Sequence, residues 1–118
     1  MRTRRLPDCP RTPNCVSSQA SDPRQHVPPL ELTGPTEGAM NRVSKIVLSL
    51  PGARLVSATD TYLHARVSTR WLRFVDDLEL LLDPEAGLIH VRSASRVGRW
   101  DLGANRRRVE TLRRKLEV

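Results

Sequence analysis

The sequence predicts an α+β fold. It reads as one small domain with an antiparallel sheet of about four strands, a helix in its N-terminal half and a C-terminal helix, preceded by a Pro-rich extended arm. Three observations predict this. Seven of the nine prolines fall within residues 1–35. Two later segments place apolar residues three and four apart, the helical period. Between them, four short segments alternate apolar and polar residues, the period of a half-buried strand. Elements ordered helix, four strands, helix bury their apolar faces best as a sheet covered by helices.

The arm comes first. Proline fixes φ and removes a backbone donor, so residues 1–35 exclude a regular helix or a central strand. Residues 36–118 form the α+β domain. Its first helix lies in "TEGAMNRVSKIVLSLPG", with Ala39, Met40, Val43, Ile46, Val47 and Leu50 on one stripe. Thr36 is the expected N-cap and Pro51-Gly52 the stop. Two strands follow in "ARLVSAT" and "YLHARVST" around a turn at Asp60, with Leu63, Ala65 and Val67 facing one way and Tyr62, His64, Arg66 and Ser68 the other.

A third strand runs through "LRFVDDLELLLD" and a fourth through "LIHVRSAS", joined across residues 84–87. If Asp83 pairs with Leu88, then Leu78, Leu80 and Leu82 share a face with Ile89, Val91 and Ser93, and Glu79 faces Arg92. A slip by one residue mixes leucine with arginine on both faces, so this register is preferred. The last helix carries the stripe Leu102, Val109, Leu112 and Leu116, with Asp101 or Asn105 as its N-cap.

The chain of 118 residues is 38% hydrophobic and 28% charged, with four aromatic residues: Tyr62, Trp71, Phe74 and Trp100. One domain with a core of Leu, Val, Ile and Ala fits these figures. Net charge is +7, which raises nucleic acid or an acidic surface as a partner. Residues 92–118 hold nine Arg/Lys against three Asp/Glu, and residues 31–91 hold six against eight. No segment approaches the roughly 20 apolar residues of a membrane span. No apolar stretch of a signal peptide follows the basic "MRTRRLPDCP". The default location is therefore cytoplasmic.

The stretches "CPRTPNCVSSQ", "FVDDLELLL" and "VRSASRVGRWDLGANRRRVE" resemble domain-of-unknown-function family 1499, small proteins of bacteria and plastid-bearing organisms. The resemblance runs from Cys9 to about Leu116. It brings no activity, because the family has none assigned. It implies that some relatives are membrane-tethered or plastid-targeted.

The triplet Arg106-Arg107-Arg108 falls where the last helix begins. Cations there oppose the helix macrodipole at about 0.3–1 kcal/mol each when exposed. One reading is an anion site, with free N–H groups and guanidinium forks converging on a phosphate or carboxylate. The other is three solvated arginines on an outer face. Asp76 sits on the leucine row of the third strand with Leu72, Phe74 and Leu78, so its carboxylate turns inward. There it needs a partner or must give up its charge. It is read as an ion pair tying the sheet to the C-terminal segment, or as an acid or base in a pocket. Asp77, on the opposite face with Glu79 and Arg92, reads as ordinary surface pairing.

Cys9 and Cys15 bracket five residues and are read either as a disulfide or as two reduced thiols. A zinc site needs about four ligands at tighter spacing, so no metal is expected. His64 and His90 read as solvent-face strand residues rather than as bases for a cysteine nucleophile. No phosphate-binding glycine loop, nucleophile elbow or metalloprotease helix motif is present, and no cofactor is expected.

The function expected from these residues is a non-enzymatic binding module for a small anionic or lipid-like ligand. Arg96, Asn105 and Arg106 would contact the ligand at the last helix's start, with Arg92 in the candidate set and Asp76 as an internal brace. The alternatives are an enzyme using Asp76 as acid or base, and an arginine-driven binder of nucleic acid or an anionic membrane.

Overall fold

The computed structural model describes residues 5–68, 74–96 and 103–117. Its elements are β1 (Cys15–Ser17), β2 (Leu30–Glu31), α1 (Ala39–Leu48), β3 (Ala53–Ala58), β4 (Tyr62–Ser68), β5 (Val75–Asp83), β6 (Leu88–Ser95) and α2 (Ala104–Leu116). One antiparallel sheet runs in the order β1-β6-β5-β4-β3, and β2 pairs with the same edge of β6 as β1.

The sheet thus has six strands rather than about four. The two extra ones come from the Pro-rich arm. They are three and two residues long, too short to show alternation in the sequence. Proline excludes a central strand but tolerates an edge, where only one side of the backbone needs partners.

The central register is the expected one. Asp83 pairs with Leu88, Glu79 with Arg92 and Asp76 with Ser95. Leu78, Leu80 and Leu82 of β5, Ile89 and Val91 of β6 and Leu63, Ala65 and Val67 of β4 are buried on one face. Onto them pack Met40, Val43 and Val47 of α1, Val109 and Leu112 of α2, and Val27 and Leu30 of the arm. Each fully buried branched side chain contributes about 1.5–3 kcal/mol. The arm therefore supplies core as well as edge.

Both helices begin differently from the expectation. Gly38 caps α1 with φ 69° and no side-chain cap, and Ala39 N–H donates to the Thr36 carbonyl (3.1 Å) instead of a Thr36 side-chain cap forming. Gly103 caps α2 with φ 80°. In both places a left-handed residue turns the chain into the helix, a conformation that glycine adopts without a Cβ clash. Asn105 is the second helical residue, not the cap, and it is fully buried. Asp101 and Leu102 lie outside the described residues, as does Leu72. Phe74 precedes β5 and is exposed despite its place on the leucine row. At the stop of α1, Gly52 has φ 79°, and a Cβ there would lie 2.3 Å from the Ser68 carbonyl oxygen. The α1–β3 turn thus requires glycine where it meets β4.

Candidate functional site

Strands β5 and β6 present polar side chains on both faces. On the helix-covered face, Asp76 is 1% exposed. Its Oδ2 lies 2.8 Å from Arg108 Nη2. Arg108 Nη1 also donates to Ser93 Oγ (3.0 Å) and to Asn105 Oδ1 (2.8 Å). Ser93 Oγ donates to Asn105 Oδ1 (2.7 Å). Asn105 Nδ2 donates to the Asn14 carbonyl and to Ser95 Oγ, both at 3.0 Å. One network therefore joins the arm, both central strands and α2. It lies in a setting where an unpaired polar group costs about 1–3 kcal/mol. Asp76 Oδ1 has no hydrogen-bond partner among the described residues.

The arginine triplet divides its work. Arg106 donates to the carbonyls of Arg24 (2.9 Å) and His26 (3.2 Å). Arg108 turns inward to Asp76. Two turns beyond Arg106, Arg113 donates to the carbonyls of Pro28 and Pro29, both at 2.9 Å, and pairs with Glu110. A Pro-rich arm is short of N–H groups and rich in unpaired carbonyls. Arginine is a donor-only side chain with five N–H groups, which suits it to satisfy them. Arg106, which stays exposed, and Arg113 are thus clamps on the arm that do not converge on one point.

On the helix-free face, Asp77 takes Arg96 Nε (2.8 Å) on Oδ2, and Arg96 Nη2 (3.0 Å) and His64 Nε2 (2.7 Å) on Oδ1. Arg96 foremost, with His64, holds the Asp77 carboxyl below the usual carboxylate range, although partial burial works the other way. Asp77 in turn raises the Arg96 guanidinium. In the next row Glu79 accepts from Tyr62 Oη (2.5 Å) and pairs with Arg92 Nη1 (3.2 Å). Burial, then the hydrogen bond to Glu79, pushes the Tyr62 phenol up. His90 Nδ1 lies 3.0 Å from Ser18 Oγ. Beyond Asp77, Arg66 stands directly opposite it across β4–β5, and Arg54 directly opposite Arg66 across β3–β4. Both are exposed, and among the described residues no hydrogen bond or ion pair engages either.

The structure does not bring the five expected ligand residues together. Asp76 and Asn105 lie in the covered network, Arg92 and Arg96 on the opposite face, and Arg106 on the arm side of α2. Asp77 shares the helix-free face with Glu79 and Arg92, as expected, and its pairing partners there are Arg96 and His64. The sequence reading missed Asn14, Ser93 and Arg108 as network members. It also missed the Arg54–Arg66 pair, because a β-bulge between Leu55 and Ser57 shifts the β3–β4 register by one residue from the one the turn at Asp60 alone would give.

Cys9 and Cys15 form a disulfide with their Cα atoms 5.7 Å apart. Among the described residues no group of three or more His, Cys, Asp or Glu could hold a metal ion, and no helix is long and apolar enough to cross a membrane. A groove of about 580 Å³ between the start of α1 and the β3–β4 turn is lined by Glu37, Met40, Leu55 and Asp60 among others, and does not reach Asp76.

No curated protein matches the chain. The family described as protein of unknown function (DUF1499) matches residues 5–116, a span holding both polar clusters, the disulfide and the arm clamps, and the chain belongs to that family.

Proposed function

We propose that the protein is a non-enzymatic binding module for a small anionic ligand, and that its binding face is the helix-free face of the sheet. One observation carries the reading. On that face Arg54 and Arg66 extend the cross-strand row of one carboxylate, Asp77, which Arg96 pairs with, while Glu79 in the next row is already answered by Arg92. Three guanidinium groups against one carboxylate leave two positive charges in excess. This moves the expected ligand contact from the start of α2 to the sheet, because Arg106 and Arg108 have protein partners. The alternative, Asp76 as acid or base, has less support, since Oδ2 is held by Arg108 and the described groove does not border it. Native mass spectrometry of the gently purified chain, with a panel of carboxylates, sulfate and phosphates added in turn, tests the proposal. An anionic adduct that is lost at high salt is the expected result. A clean apo mass with no adduct from any member of the panel overturns it.

A further inference from the structure

We infer that the cross-strand pair Arg54–Arg66 is a clamp for a phosphomonoester group, with Arg96 beside it. The inference rests on the binding-module reading above and names the ligand chemistry of that face. Directly opposite residues of an antiparallel pair have Cβ atoms about 4.5–5.5 Å apart, and like charges in that position destabilise the pair. Arg54 and Arg66 occupy such a position. The carboxylate nearest to them does not relieve it. Asp77 is opposite Arg66, yet its two oxygens are taken by Arg96 and His64, and no ion pair joins it to Arg66. The chain therefore holds two exposed arginines directly opposite each other and directs the neighbouring acid elsewhere.

Geometry and charge together select the ligand. A carboxylate has two oxygens and matches one guanidinium fork. A phosphomonoester has three terminal oxygens on a tetrahedral centre, so two forks from adjacent strands can each take an edge of the same group. It also carries close to two negative charges at neutral pH, which matches the two positive charges in excess around Asp77. The two arginines stand on paired strands of one sheet, so only their side chains need ordering on binding. The same headgroup chemistry occurs on a soluble phosphate ester and on a phosphatidic acid surface.

The test uses the full chain with inorganic phosphate and glycerol 3-phosphate as probes, titrated calorimetrically at constant ionic strength. Vesicles of phosphatidylcholine with and without phosphatidic acid form a parallel arm. Saturable phosphate binding is expected, weakened at least tenfold by Arg54→Gln or Arg66→Gln and unchanged by Lys45→Gln, an exposed cation on α1. Without phosphate, each arginine variant is expected to melt slightly above the parent chain, since the like-charge pair is gone. With phosphate the order reverses, which a merely structural pair would not show. Binding to glycerol 3-phosphate but not to the vesicles assigns a soluble ester; binding to phosphatidic acid vesicles, lost in the same variants, assigns the lipid source. Phosphate binding no better than chloride, or binding that both variants retain, overturns the clamp. If phosphate is silent while a carboxylate or sulfate of the panel binds, the clamp fails and the binding module stands. If nothing in the panel binds, both fail.

Discussion

Asp76 and Asp77 are neighbours in the chain and opposites in environment. Asp76 points under the helices, 1% exposed, and meets one guanidinium in a network that reaches α2 and the arm. Asp77 points to the helix-free face, where it gathers Arg96 and His64 at the border of solvent. Coulomb attraction over the same length is stronger in a dry interior than at the surface but is offset by desolvation, whereas leaving one partner there unpaired costs far more. The covered face therefore uses its charges for assembly. The open face keeps charges that water already solvates and that another anion can reach.

Breaking the covered side should have the largest effect. Arg108→Met leaves Asp76 buried and uncompensated and is expected to cost about 3–5 kcal/mol in urea unfolding. Asp76→Leu combined with Arg108→Met should recover most of that loss, because an apolar pair replaces a buried ionic one at little net cost. A single-variant loss below about 1 kcal/mol would make the two faces equivalent. Next, Asn105→Ala removes a donor to the Asn14 carbonyl and an acceptor for Ser93 and Arg108. It should cost up to about 3 kcal/mol, read the same way.

The disulfide sharpens the comparison on the arm side, since Cys15 follows the Asn14 whose carbonyl the network uses. It joins residues only six apart, and closing so short a loop stabilises by about 2 kcal/mol in the chain-entropy account. Reduction should lower the unfolding free energy read from urea titration by about that amount, with the denaturant slope little changed. Cytosolic reductants would act in the same direction.

The smallest effect belongs to the open face. Asp77→Asn should cost no more than about 1 kcal/mol near neutral pH, because its partners remain solvated. Its pH signature is more telling. The folded-state carboxyl lies below its unfolded value, so its contribution is present above the ordinary carboxylate range and is lost as pH falls through the lowered value. Acid titration of stability should be shallower in Asp77→Asn than in the parent chain. Identical acid limbs would remove Asp77 from the account.

How much was legible follows from the range of each interaction. Alternation in β4, β5 and β6 is a local property, and the leucine row with its Glu79–Arg92 partner left one register acceptable. The disulfide was one of two open readings, since spacing permits a bond without requiring it. The two-residue β2 carried too little pattern to be seen. Thr36 was a reasonable cap by type, but a backbone turn through Gly38 took its place.

The sequence by itself determined six of the eight elements, their faces and the central pairing, because period and register depend on neighbours within a few residues. Only the tertiary structure decided what each arginine does. Arg106 and Arg113 became clamps and Arg108 a buried counter-ion, while Arg54 and Arg66 have no side-chain partner among the described residues. A guanidinium takes whichever carbonyl or carboxylate the fold brings within reach. That depends on the path of an arm some eighty residues away in the chain, and no local pattern encodes it.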